Sequence, residues 1–235
     1  VPVKYGRSEK IIAGDPLFKK FYEAYQNELD KIGKRPDILI FNPNDYDIAW
    51  GEDISSYSLD DLSPIVKKAV AGFEVRSSAY LTGKFKPKDD KPFLSFTPKI
   101  EDLLAVLKWI DIFNVPHYYV QVFFDAIFII PFKDILILLK NAKKVERGRK
   151  NKKIIGYIKD TPAFVIEKNP KNQFKETIHI FLNNGFILHK GELNPILKAS
   201  KKELASGRLL HYVTFDGGNV NLDKGCLMSL IQKPV

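Results

Sequence analysis

Apolar positions recur every three to four residues over some stretches and alternate or run together over others, and the two periods together predict an α/β chain. Over residues 15–31, Leu17, Phe18, Phe21, Tyr22, Tyr25 and Leu29 mark one helix face, with Asp15 and Pro16 as cap and first turn and Gly33 as the stop. Thr97-Pro98 opens a second helix whose stripe is Ile100, Leu103, Leu104, Leu107, Ile110 and Phe113. Glu101 and Asp102 lie in its first turn, where the helix dipole favours acids. Shorter helices are expected over 64–70 and 133–140. Strands are expected over 38–41, an unbroken apolar run, and over 46–50, 73–78, 117–124 and 127–130. Residues 83–91, rich in lysine, proline and aspartate, read as a surface loop.

The pattern changes near Lys143. Lys143, Lys144, Arg147, Arg149, Lys150, Lys152 and Lys153 stand against the single acid Glu146. Beyond them strands are expected over 163–167, 177–182, 185–188 and 209–215, with a helix over 195–205. This order predicts an α/β core over residues 1–142 and a β-rich part over 143–235, packed on the same domain. No internal repeat interrupts it.

Composition narrows the classes. The chain has 235 residues, 45% of them hydrophobic, enough for a sizeable core. No stretch reaches the roughly 18 apolar residues that span a bilayer, so no membrane association is expected. The one cysteine, Cys226, has no partner for an internal disulfide, which fits a reducing, cytoplasmic setting. A net charge of +9 favours a polyanionic partner without choosing among DNA, RNA and acidic membranes. No glycine-rich phosphate loop of the Walker type is present, so no nucleotide cofactor is expected. His117, His179, His189 and His211 lack metal-ligand spacing, which argues against zinc.

One constellation carries chemistry. Asp37 opens the candidate strand 38–41, and Glu74 and Arg76 stand two positions apart on the candidate strand 73–78. Strand side chains alternate, so Glu74 and Arg76 share a face about 7 Å apart, with Phe73 and Val75 on the other. Two carboxylates can hold Mg²⁺, a hard cation that prefers oxygen. A fixed cation beside them steadies the charge that grows on a phosphoryl group in its transition state. The set therefore suits hydrolysis of a phosphodiester. Asp45 and Asp47 also precede Glu74 and compete with Asp37 for the first carboxylate, with Asp37 preferred for its Arg-Pro-Asp context. Glu23 and Glu28, on the first helix, are candidates for a third, with a solvated helix face as the simpler reading of each.

The segments Arg35-Pro36-Asp37-Ile38-Leu39-Ile40-Phe41 and Phe73-Glu74-Val75-Arg76-Ser77-Ser78 resemble the PD-(D/E)xK nuclease superfamily. Extended through Ala79-Tyr80-Leu81, Leu94-Ser95-Phe96-Thr97-Pro98-Lys99-Ile100-Glu101-Asp102-Leu103 and Val115-Pro116-His117-Tyr118-Tyr119-Val120-Gln121-Val122-Phe123-Phe124-Asp125, the chain is similar to the AccI family of type II restriction endonucleases. The similarity runs over about residues 15–140. It implies a PD-(D/E)xK core, a central mixed β-sheet flanked by helices. It also implies a homodimer that binds double-stranded DNA at a short near-palindromic site and cuts both strands with Mg²⁺. Asp37 and Glu74 become the metal ligands, and Arg76 takes the place that lysine usually holds. Arginine stays protonated, so it cannot be a general base, but it can orient water or stabilise phosphate charge. Lys99 or Lys84 supplying the cation instead, and a site without activity, are the alternatives. Beside restriction, a structure-selective repair or recombination nuclease on the same core and a non-catalytic nucleic-acid-binding module remain open.

Contacts to DNA are expected from Lys84 and from the basic run, with Lys143, Lys144, Arg147, Arg149 and Lys150 on phosphates. Lys171, Asn172, Gln173, Lys175 and Arg208, in the stretches 171–184 and 206–221, are residue types that read base edges. Asn183-Asn184-Gly185 reads better as a turn.

Overall fold

The computed structural model describes residues 1–7, 16–78, 80–88, 92–147, 153–167, 176–191, 194–203 and 209–232, with the backbone alone at 194, 195, 197, 200, 202 and 210–216. The first part runs β1 (Pro2–Lys4), α1 (Phe18–Ile32), β2 (Ile38–Ile40), α2 (Leu59–Val66), β3 (Ala71–Ser77), β4 (Ser95–Phe96), α3 (Ile100–Phe113), β5 (His117–Val122), β6 (Ala126–Pro131) and α4 (Phe132–Asn141). The rest is β7 (Lys143–Arg147), β8 (Lys153–Ile158), β9 (Thr161–Glu167), β10 (Thr177–Phe181), β11 (Phe186–Lys190), β12 (Asn194–Glu203), β13 (Leu209–Asn219) and α5 (Lys224–Ile231). Among the described residues no helix is long and apolar enough to cross a membrane.

The fold is mixed α/β. Its central sheet has the order β1-β2-β3-β5-β6-β11, antiparallel throughout except for the parallel pair β3–β5, which α3 connects. A second, antiparallel sheet has the order β4-β10-β9-β8-β7, and β12 and β13 form a two-stranded ribbon. The two larger sheets exchange edges across residue 142. β11 pairs with β6 in the central sheet, and β4 pairs with β10 in the second.

Alternation along the strands decides which faces are dry. Phe73, Tyr118, Val120, Ile129 and Leu188 form one face of the central sheet, covered by Leu230 and its neighbours on α5, a helix that the periodicity did not single out. Under the opposite face, Trp109 and Phe113 of α3 pack with Val3, Leu39, Leu62 and Val66. The largest cluster joins Val106, Tyr119, Phe132 and Ile135 to Phe164, Ile178 and Ile180 of the second sheet. The central strand β3 is therefore buried on both sides through Glu74, and only its last residues reach solvent.

Most expected elements fall within a few residues of their places, but three differ. Residues 46–50 form a one-turn 3₁₀ helix, Ile48–Trp50, capped by the Asp47 carboxylate on Ala49 N at 2.9 Å. The aromatic alternation there packs Tyr46 and Trp50 against Phe41 instead of building a strand, because β1 already occupies the edge beside β2. The helix expected over 64–70 begins earlier, at Leu59, where Ser58 accepts from Asp61 N; Pro64 lies inside it. Residues 195–205 are rich in helix formers, yet 194–203 is strand β12, held by its register with β13. Non-local pairing here overrides a weak local preference. The basic stretch after Lys143 begins as strand β7, and residues 148–152 lie outside the described residues.

Candidate active site

Asp37 and Glu74 meet because β2 and β3 are antiparallel neighbours with Ile38 opposite Phe73, so one step further brings Asp37 opposite Glu74. Asp37 is held firmly. Its carbonyl accepts from Tyr5 N at 2.9 Å and Gly6 N at 3.0 Å, and its Oδ2 accepts from Val75 N at 2.7 Å. A Cβ on Gly6 would stand 2.8 Å from Asp37 Cα, so only glycine lets the end of β1 approach this closely. Glu74 is 2% exposed, whereas the Arg76 side chain is 46% exposed at the mouth of the same pocket.

Glu74 does not lie in that interior unpaired. Its Oε1 accepts from Arg76 at 2.5 Å and from Lys34 Nζ at 2.9 Å. Lys34 Nζ also reaches Asp102 Oδ2 at 2.7 Å, joining α3 to the strands. Burial pushes the Glu74 carboxyl above the usual range and neighbouring Asp37 adds to this, while Lys34 and Arg76 oppose it. Burial pulls the Lys34 ammonium down, but Glu74 and Asp102 together outweigh it and hold the group above an ordinary lysine, firmly cationic. Tyr119 sits below: its hydroxyl is buried without a hydrogen-bond partner among the described residues, and burial, with Glu74 and Asp102, pushes its ionisation far up.

The back wall is a buried ion cluster. Glu28 faces Arg35 through Oε1 to Nε at 2.7 Å and Oε2 to Nη2 at 2.9 Å, and takes Arg7 on Oε2 at 2.7 Å. Glu28 thus lines the pocket, but guanidinium groups occupy both of its oxygens. Among the described residues five cations (Arg7, Lys34, Arg35, Arg76, Lys99) and four carboxylates (Glu28, Asp37, Glu74, Asp102) border this pocket, a balance of one positive charge.

The structure brings Asp37, Glu74, Arg76, Glu28 and Lys99 to one pocket; Lys99 pairs with Glu101 at 3.5 Å. It does not bring Asp47, exposed on its 3₁₀ cap, or Glu23, 62% exposed and 4.0 Å from Lys19. Lys84 ends an exposed 3₁₀ turn away from the pocket. Lys143, Lys144 and Arg147 are exposed on the edge strand β7. Arg149, Lys150, Lys171, Asn172, Gln173, Lys175 and Arg208 lie outside the described residues. Sequence reasoning did not single out Lys34, and it treated Asp102 only as a helix-dipole acid. The available signal was Gly33: with φ +76° it ends α1 and turns Lys34 toward the strand that follows.

The family model of the AccI restriction endonuclease matches residues 1–90 and 85–233. The chain belongs to the AccI restriction endonuclease family. No curated protein and no solved structure matches it. The match extends well past the 15–140 stretch whose motifs carry the resemblance, so the second sheet and the ribbon are part of this family's chain.

For a restriction endonuclease the question at this pocket is whether it suits a divalent cation. Among the described residues no group of three or more His, Cys, Asp or Glu side chains is placed to hold a metal ion. Two carboxylates, Asp37 and Glu74, do converge. Asp37 Oδ1 and Glu74 Oε2 accept no hydrogen bond among the described residues. Two open carboxylate oxygens suit Mg²⁺, which keeps its remaining positions for water and substrate phosphate.

Proposed function

We propose that the chain is a Mg²⁺-dependent type II restriction endonuclease, built on a PD-(D/E)xK-like site, that hydrolyses both strands of duplex DNA at a short near-palindromic sequence and works as a homodimer. One observation carries the reading: in a chain of this family, Asp37 and Glu74 converge on a pocket that also holds two fixed cations, Lys34 and Arg76.

Asp37 and Glu74, each with one carboxylate oxygen left open, would hold the cation. The chemistry such an ion would supply is Lewis acidity toward the phosphoryl group and activation of water. Arg76, half exposed at the mouth, meets the scissile phosphate and stabilises the negative charge that grows on its oxygens. It does not take the proton from water, because a guanidinium does not deprotonate. Lys34 fixes the Glu74 carboxylate from behind and ties its orientation to Asp102 on α3. Buried Tyr119 and the Arg35–Glu28 pair keep bulk water from the rear of the pocket, which strengthens every charge interaction in it.

The test is plasmid DNA incubated with Mg²⁺ and the native chain, Asp37→Ala or Glu74→Ala. Discrete fragments from the native chain and a rate loss of about 10²-fold or more in both variants are expected. Cutting by both variants at the native rate would overturn the site. Cutting confined to branched or damaged DNA would replace restriction with repair, and duplex binding without any cutting would leave a binding module.

A further inference from the structure

Among the described residues the longest strands belong to neither large sheet. Among the described residues β12 and β13 pair only with each other, through registered partners from Asn194–Asn219 at the root to Glu203–Leu209 at the tip. Ten strand residues extend about 33 Å. Every side chain described along the ribbon is exposed, Ile196 at 61% and Leu209 at 51% among them, together with Lys198, Ala199, Lys201 and Glu203. A two-stranded ribbon of this kind is marginal alone in water, and its open edges are a liability unless something lies against them.

Charge and position choose the occupant. The β12 sequence carries Lys198, Lys201 and Lys202 against one acid, Glu203. At the root, Gly217 takes φ +104° and the register shifts between Pro195 and Leu197, so the ribbon bends where it leaves the body. The root lies against the C-terminal end of β3, the strand that carries Glu74 and Arg76. Gly217, Gly218 and Asn219 share a cavity with Ser77 and Ser78, the residues that follow Arg76 on and just beyond β3. Arg76, half exposed, stands at the same strand end, so a duplex with a phosphate on Arg76 comes near the base of the ribbon. The major groove is wide enough for a two-stranded β-ribbon, and 33 Å is close to one helical turn.

We propose that the β12–β13 ribbon is a DNA-clasping arm that enters the major groove of the duplex held at the Asp37–Glu74 pocket. This rests on the endonuclease reading above.

The test uses the full chain without divalent cation, a fluorescein-labelled 30-base-pair duplex of random sequence, and anisotropy over a salt series, with sedimentation of the free protein alongside. The variants are Lys198→Ala/Lys201→Ala and Lys198→Glu/Lys201→Glu; both positions are exposed, and a thermal melt equal to the native one confirms folding. Expected are at least tenfold weaker binding at 100 mM salt for the Ala pair, a larger loss for the Glu pair, and a salt slope shallower by about 2, from about 0.9 per phosphate contact. Native affinity and slope in both variants would overturn the arm while leaving the endonuclease reading intact. A shift of the variants to a smaller sedimenting species would also overturn it, assigning the ribbon to a second copy of the chain. No duplex binding by the native protein would remove both readings together.

Discussion

His117 offers a quantitative check on the packing behind the site. It is 2% exposed on β5, among Trp109, Tyr119 and Phe132, and neither ring nitrogen has a hydrogen-bond partner among the described residues. Burial, with a smaller push from the Lys34 charge, lowers its pKa to about 3. The unfolded chain returns it to about 6.5. Between these values the unfolded state binds a proton that the native state refuses, so stability falls as pH drops, by about 1.4 kcal/mol per unit. The loss begins near pH 6.5 and is about 2 kcal/mol at pH 5. Urea unfolding of the native chain and of His117→Phe at pH 7.5, 6 and 5 isolates it, because carboxylate contributions common to both chains cancel. The native chain is expected to lose about 2 kcal/mol more than the variant over that range. Parallel stability curves, or an imidazole proton resonance that titrates near pH 6 in the folded protein, would refute the reasoning.

Lys34→Met removes a unit charge within 4 Å of Glu74, an interaction of about 4 kcal/mol at an effective dielectric near 20. Terbium or calcium binding to the variant is expected to tighten at least tenfold while Mg²⁺-supported cutting slows; unchanged metal affinity would show that Lys34 does not compete for that carboxylate. Glu28→Gln strands Arg35, whose side chain is 4% exposed, and should cost about 3–5 kcal/mol in chemical denaturation. A cost below 1 kcal/mol would mean that the cluster is hydrated. Gly33→Ala forces a left-handed φ of +76° on a residue whose Cβ would stand 2.2 Å from Ala105 O. A clearly lower Tm and slower cutting together are expected, since the same turn aims Lys34; a native melt would contradict that geometry.

Much of the architecture was legible locally. The stripes of α1 and α3 and the alternation Phe73-Glu74-Val75-Arg76 are set by periods of 3.6 and 2, which any single stretch reveals. Residue chemistry alone pointed to Asp37, Glu74 and Arg76, because two charged groups on an otherwise apolar central strand are costly unless used or paired. Where local preference was weak, non-local partners decided. Residues 46–50 lost the sheet edge to β1, and the helix formers of 194–203 became a strand because β13 supplied a ladder. The site shows the same division. Its carboxylates lie on neighbouring strands that the sequence pattern could propose. Its buried cation does not: Lys34 is separated from Asp102 by 68 residues, and they meet only because α1 ends against α3 at Gly33. Sequence by itself determined which groups could do chemistry, through residue type and period. Only the tertiary structure decided which of them touch, because ion pairing in a dry pocket depends on distances that the chain acquires when its helices and sheets pack.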